Sequence, residues 1–225
     1  MINLSTSNLT VDLGIVDFNL ALEIQHNLRN LRERELVGDV ILFLEHPPIY
    51  TVGRHPDNNN FSGINVIATE RGGDVTYHGP GQLVVYPIMK IGDKNHVDAR
   101  KFVNSIQNLV ISSIEAIGYS CHLGHEAGIW VSDSPLGDRK VASIGMAIVK
   151  GVSFHGISIN IGKEVLEGFS MIRPCGMDPF VMGYIDVGRI ELINAIRGNL
   201  GKVMNEPEHV SEIKFYEIYE KLITK

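Results

Sequence analysis

Lys140-Val141-Ala142-Ser143-Ile144-Gly145-Met146-Ala147-Ile148-Val149-Lys150-Gly151-Val152-Ser153-Phe154-His155-Gly156-Ile157-Ser158-Ile159-Asn160-Ile161 is the stretch that decides the fold class. Ile157, Ile159 and Ile161 alternate with Ser158 and Asn160, the two-residue period of a half-buried strand. Gly151 separates two runs, Lys140–Val149 and Val152–Ile161, and a glycine between strands supports a hairpin. Hairpins argue for a mixed sheet rather than a purely parallel one.

Around this hairpin the chain changes period. From Asp17 to Leu36, Leu20, Ala21, Ile24, Leu28 and Leu31 recur at three- and four-residue steps, one face of an amphipathic helix. Asp98 can cap a second helix running to Gly118, with Phe102, Ile106, Leu109, Val110 and Ile117 on its core face. Val40–Leu44, Ile49–Val52, Leu83–Ile88 and Ile129–Ser132 read as strands, and helices are expected around Ile190–Leu200 and Val210–Ile223. Gly53–Gly63, with Pro56, Asp57 and Asn58–Asn60, reads as a flexible polar loop. The expectation is an α/β fold of the α+β type, a mixed β-sheet flanked by helices, with residues 1–225 as a single domain.

Composition narrows the function. With 225 residues, 44% hydrophobic and 20% charged, the chain can bury a sizeable core. A net charge of −6 argues against general nucleic-acid binding, although it leaves room for a local basic patch facing an acidic partner. MINLSTSNLT has no basic stretch leading into an apolar one, and no apolar run is long enough to span a bilayer. A cytoplasmic chain is expected, with no membrane and no nucleic-acid partner. Cys121 and Cys175 stand 54 positions apart and form no CxxC pair, so each needs its own account. Cys121-His122-Leu123-Gly124-His125 lacks a second pair of ligands, and no metal site is expected.

Arg71-Gly72-Gly73-Asp74-Val75-Thr76-Tyr77-His78-Gly79-Pro80-Gly81-Gln82 sets four glycines among Arg, Thr, Tyr, His and Gln. Glycine lets a backbone or ligand approach closely, so Gly72-Gly73 can wall a substrate chain while hydroxyl, imidazole and N–H groups orient a carbonyl. Two tight turns joined by a short strand would look the same locally. Neither GxxxxGK[ST] nor GxGxxG is present, so the segment is not a phosphate or dinucleotide loop.

Arg71–Ile88, RGGDVTYHGPGQLVVYPI, resembles the signature of the lipoate-biosynthesis octanoyltransferases, also called lipoyl(octanoyl) transferases or LipB proteins. Other pieces follow in matching order: Leu13-Gly14, Leu44–Arg54, Gly128–Val131, Lys140–Gly145, Phe154–Ile157, Asn160 and Pro174-Cys175-Gly176. Met177–Tyr184 departs from the family pattern, and Ser134–Gly137 is an undiagnostic insert.

The resemblance implies the catalytic-domain fold of lipoate and biotin protein ligases. It implies Cys175 as nucleophile and Lys140 as its partner, with His78 as possible support. It places Arg71, Gly72, Gly73, Asp74, Val75, Thr76, Tyr77 and His78, then Ser143, Ile144 and Gly145, then Gly156, Ile157 and Ser158, around an acyl chain. Octanoyl would arrive on the phosphopantetheine of acyl carrier protein, pass to Cys175 as a thioester, and leave as an amide on a lipoyl-domain lysine. The acceptors would be lipoyl domains of 2-oxoacid dehydrogenases or the glycine cleavage H protein, and no cofactor would be needed.

The residues suit this chemistry. A thiolate is strongly nucleophilic and a thioester stays reactive. A nearby ammonium stabilises the thiolate, and lysine, unlike Arg139, can give up a proton. Backbone N–H groups near Gly176 or within residues 71–82 would stabilise the oxyanion. A Cys–His pair with His78 ranks below the Cys–Lys pair that the resemblance supplies. The rival readings are an ATP-dependent lipoate-protein ligase on the same scaffold and a non-catalytic binder of lipoyl domains or acyl carriers.

Overall fold

The computed structural model describes residues 7–93, 96–124 and 128–224. His125 of the Cys121–His125 cluster lies outside them. In chain order the strands are β1 (Leu9–Ile15), β2 (Val40–Glu45), β3 (Ile49–Val52), β4 (Ile67–Ala68), β5 (Val75–His78), β6 (Gln82–Ile88), β7 (Gly92–Asp93) and β8 (His96–Val97). They continue with β9 (Cys121–Leu123), β10 (Ile129–Ser134), β11 (Gly137–Val149), β12 (Val152–Asn160) and β13 (Glu208–Val210). The helices are α1 (Phe18–Glu33), α2 (Ala99–Ala116), α3 (Val165–Phe169), α4 (Arg189–Asn199) and α5 (Glu212–Ile223).

Among the described residues, eight strands form one sheet in the order β13-β1-β2-β6-β12-β11-β10-β9. β13, β1 and β2 run parallel, and every pair from β2–β6 to β10–β9 is antiparallel. The sheet is therefore mixed, and β11–β12 is the hairpin read from Gly151, with Val149 opposite Val152. Alternation sorts β2 onto two cores. Ile41 and Phe43 pack with Phe102, Ile106 and Leu109 of α2 and Leu192 and Ile196 of α4. Leu42 and Leu44 pack with Ala21, Ile24 and Leu28 of α1 and Phe215 of α5. Helices thus cover both faces, which is why Val40–Leu44 is apolar without a break.

The helices start where side chains can cap them. Asp17 accepts from the Asn19 and Leu20 amides, and Asp98 accepts from the Lys101 amide. Leu20 is 46% exposed and does not belong to the inward face of α1, where Phe18 and Gln25 stand instead. It sits one position from Ala21, about 100° around the helix. Ser134–Gly137 is the turn of the β10–β11 hairpin, held by the Ser134 hydroxyl donating to the Gly137 carbonyl at 2.6 Å.

A second sheet, β4-β3-β5, carries its own apolar cluster of Val52, Val75 and Tyr77 with Val165 and Phe169 of α3. Where β10 stops pairing at Ala142, the free edge of β11 is met by Gly72, whose N–H donates to the Met146 carbonyl at 3.0 Å. This contact joins the glycine-rich segment to the large sheet.

Gly156 is placed by packing. A Cβ there would stand 2.0 Å from the Val85 carbonyl oxygen and 2.9 Å from Pro87 Cδ. Gly156→Ala should cost about 3 kcal/mol and lower Tm by roughly 6–12 °C. An unchanged melting curve would refute the close approach.

Candidate active site

A cleft of about 360 Å³ opens between the two sheets. Cys175, Lys140, Arg71, Gly72, Gly73, Asp74, Val75, Thr76, His78, Ser143, Ile144, Gly145, Gly156, Ile157 and Ser158 all line it. Tyr77 does not. Alternation in β5 turns Thr76 and His78 to the cleft and sends Tyr77 to the other face, against Tyr50 and Phe169 at ring distances of 5.1 and 5.8 Å. The wall also includes Phe18, Thr51, Tyr86 and, beside Gly156, His155.

Cys175 is exposed and sits in the short 3-10 turn Pro174–Gly176, at φ 54° and ψ 32°. This left-handed backbone is unfavourable for a residue with a Cβ and is found where surrounding contacts impose it. Here the contacts run back to the glycine-rich segment. The Arg173 amide donates to the Asn60 carbonyl at 2.8 Å, and Asn60 Nδ2 donates to Asp74 Oδ2 at 2.5 Å. Asp74 Oδ1 accepts from the Asp57 amide at 3.0 Å. Asp74 thus positions the cysteine turn through Asn60. Gly53–Gly63, read from composition as a flexible polar loop, is mostly exposed, with Asn60 buried and tied to Asp74 and Arg173.

The same turn corrects the oxyanion expectation at Gly176. Its amide already donates to the Arg173 carbonyl at 3.0 Å, and the Met177 amide to Pro174 at 3.1 Å.

Lys140 is the fourth residue of β11 and only 2% exposed, so it is not a solvated charge at a strand end. Its stem passes over Gly128, where a Cβ would meet Lys140 Cε at 2.4 Å. Arg71 supplies a second cation. Its guanidinium donates to Thr51 O at 2.8 Å, to Thr51 Oγ1 at 3.0 Å and to Gly72 O at 3.1 Å. Burial pushes its pKa down to about 10, opposed first by the nearby Cys175 and then by Tyr86 and Asp74. Arg71 therefore remains positive at neutral pH and is a fixed cation close to Cys175.

His78 is buried and held by a relay. Gln82 Nε2 donates to Asn160 Oδ1 at 3.0 Å and to Tyr77 O at 3.3 Å, so Gln82 Oε1 accepts from His78 Nδ1–H at 2.7 Å. Asn160 Nδ2 donates to Gly183 O at 2.7 Å, and the Gly183 amide donates to Lys140 O at 2.9 Å. The relay fixes the tautomer and leaves Nε2 of a neutral ring as an acceptor. Desolvation, then neighbouring His46, lowers the His78 pKa to about 3. His46 and His155 are likewise held at about 4, chiefly by burial. His46 Nδ1–H donates to Val16 O at 2.7 Å, so its Nε2 accepts from the Tyr86 hydroxyl at 2.9 Å.

Three buried neutral imidazoles make stability depend on pH. Unfolded, they protonate near 6.5; folded, not until about 4 for His46 and His155 and about 3 for His78. The unfolded chain binds more protons in that window, so stability is lost as pH falls through it. The urea midpoint should be lower at about pH 5 than at about pH 7.5. Equal midpoints would show that these rings are not held neutral.

Cys121, in β9, has its thiol pushed up to about 12 by burial and by neighbouring Glu115 and Asp133, which makes it unreactive. Among the described residues, no group of three or more His, Cys, Asp or Glu side chains is placed to hold a metal. Nor is any described helix long and apolar enough to cross a membrane.

The two-sheet cleft and its conjunction of thiol, amine and acyl-sized slot fit a catalytic domain for acyl or cofactor transfer. Residues 17–181 match the family of the lipoyl protein ligase A/B catalytic domain. An octanoyltransferase of Alkaliphilus metalliredigens is 36% identical over 178 residues, covering 74% of this chain and 78% of the relative. One of Rhodococcus opacus is 38% identical over 182 residues, covering 77% and 69%. The putative lipoate protein ligase of T. acidophilum with bound lipoic acid superposes with a TM-score of 0.70 at 15% identity, covering 97% of this chain and 94% of that one. That likeness establishes the fold. The chain belongs to the octanoyltransferases of this catalytic-domain family, and is an acyltransferase.

Proposed function

We propose that the octanoyl transfer performed by this family proceeds in this chain on Cys175, in protein lipoylation, with the whole chain acting as one catalytic domain. The observation that supports it most is the placement of Cys175, exposed and in a strained turn, on the same cleft as Lys140 and Arg71.

In the first half-reaction the Cys175 thiolate attacks the octanoyl thioester on the phosphopantetheine of acyl carrier protein. The new C–S bond forms, the old one breaks, and the carrier thiol leaves with a proton. In the second, a lipoyl-domain lysine amine attacks the acyl-enzyme, the amide C–N bond forms, and Cys175 is released as thiolate. Lys140 takes the thiol proton at the start and relays the proton lost by the incoming amine. With a pKa of about 3, His78 is too weak a base to replace Lys140 in this role. Thioester to amide is downhill, so the cycle uses neither ATP nor a cofactor.

The acceptors in this reading are lipoyl domains of 2-oxoacid dehydrogenases or the glycine cleavage H protein, and the reaction is cytoplasmic.

Intact-mass measurement after incubation with octanoyl-acyl carrier protein tests the proposal. Wild type should gain one octanoyl group without ATP, and Cys175→Ala none. Activity that requires ATP and survives Cys175→Ala would instead establish a ligase.

A further inference from the structure

The cleft has two arms, one on each side of β11. Beyond Ala142 the outer edge of this strand meets, among the described residues, only the Gly72 N–H, which donates to Met146 O at 3.0 Å. Successive residues of β11 turn to opposite faces of the sheet. Ser143 and Gly145 turn to the face of Val84 and Tyr86, the slot that the acyl chain takes in this reading. Ile144 and Met146 turn to the other face and pack on the core beneath α2. With Ile148 they bound a groove against Ala99, Val103 and Gln107 of α2. Past Ala99 and Ile148 it runs on into a recess at Val97, Lys150 and Gly151.

The arms meet near Cys175. Arg71 lies close to that residue, and a Cβ on Gly145 would stand 3.0 Å from Arg71 Cδ and 3.2 Å from Gly72 O. A thioester donor also has two chains, the acyl group and the arm that carries it, diverging at the reacting carbon and sulfur. A pantetheine arm is extended and holds two amides. Alternate residues of an antiparallel strand point both backbone groups to one side. Because Met146 O points outward, so do the N–H and C=O of Ile144 and Ile148, which bond nothing among the described residues. Such an edge accepts extended amides. From Ile144 to Ile148 the strand rises roughly 13 Å. The arm, about 13 bonds from sulfur to phosphorus, equals about four peptide residues, or roughly 15 Å. Its phosphate would reach just past Ile148, to the recess at the first turn of α2. Arg100 and Lys101 are exposed on that turn and form no ion pair among the described residues, whereas Lys150 is paired with Glu33 at 3.0 Å.

We propose that the groove between β11 and α2 holds the phosphopantetheine arm of the octanoyl donor, with its amides on the β11 edge and its phosphate beside Arg100 and Lys101. The inference rests on the acyl-enzyme at Cys175.

Single-turnover acylation, read by intact mass, is compared for the octanoyl thioesters of ethanethiol, which has no arm, of pantetheine and of phosphopantetheine. Wild type should acylate about tenfold more efficiently with pantetheine than with ethanethiol, and about tenfold more again with the phosphate. Val103→Trp, which fills the groove, should erase the first gain, and the double variant Arg100→Glu, Lys101→Glu the second. Equal acylation of wild type by all three donors would overturn the proposal while leaving the Cys175 thioester in place. So would a Val103→Trp protein slowed equally with every donor, which marks a structural role. One slowed only in passing octanoyl to a lipoyl domain would give the groove to the acceptor and overturn it too. Should Val103→Trp fail to fold, the charge reversal on exposed side chains decides alone, and an unchanged gain from the phosphate overturns the placement. A wild-type protein that gains no octanoyl group from any donor would overturn both readings.

Discussion

Cys175→Ala should reduce steady-state octanoyl transfer by on the order of 10⁴-fold or more, the scale of loss when a nucleophile is removed. The fold should be unaffected, because Cys175 is exposed and its turn is held by backbone contacts from Arg173, Gly176 and Met177. Cys175→Gly separates the two roles of the position. It should be equally inactive yet more stable, by about 1–2 kcal/mol, because glycine tolerates the left-handed backbone that cysteine adopts at φ 54°. Measured transfer rates and melting curves for the two variants check both halves. A Cys175→Ala protein with ordinary turnover would remove the nucleophile from the account.

Lys140 carries the second large effect. Lys140→Met fills the buried site with a side chain of similar length and should slow transfer about 10²- to 10⁴-fold, the usual range for a lost acid–base group. Lys140→Arg is the sharper experiment. Arginine keeps a positive charge at this position, yet stays protonated and cannot relay the amine proton. If proton movement is the function of Lys140, Arg and Met variants should be slow alike. If charge alone matters, arginine should recover most of the rate, and Arg71 would then share a role with Lys140. Transfer rates at saturating carrier, with Tm as the control for folding, distinguish the two.

What could be read from the sequence was what repeats locally. The β11–β12 hairpin, the inward faces of α1 and α2, and the mixed sheet follow from spacing and from Gly151, because side-chain period is set by backbone geometry. β1 and β13 are harder. β1 mixes Thr10, Asp12 and Gly14 among its apolar residues, and buried Thr10 is satisfied by His209 at 2.6 Å, a partner on β13 that no local pattern announces. Val210 reads as helix from its apolar neighbours, yet ends a three-residue strand paired with Val11.

The site divides in the same way. Glycines and the Pro-Cys-Gly step mark the segments that meet, and the family resemblance supplied the pairing of Cys175 with Lys140. The supports could not be read, because they join residues far apart in the chain. Gln82 reaches Asn160, Asn160 reaches the carbonyl of Gly183, and Asn60 ties Asp74 to the cysteine turn. The orientation of Tyr77 was open to sequence reasoning: once Thr76 and His78 face the cleft, strand alternation turns Tyr77 away.

The central claim is that Cys175 holds the acyl group between two transfers. Its most direct measurement isolates the octanoylated protein, free of donor, and mixes it with an apo lipoyl domain in the absence of ATP. The account predicts that the octanoyl mass leaves Cys175 and appears on the acceptor lysine, at a rate no slower than steady-state turnover. An octanoylated protein that keeps its acyl group while the same preparation still turns over with fresh donor would contradict it.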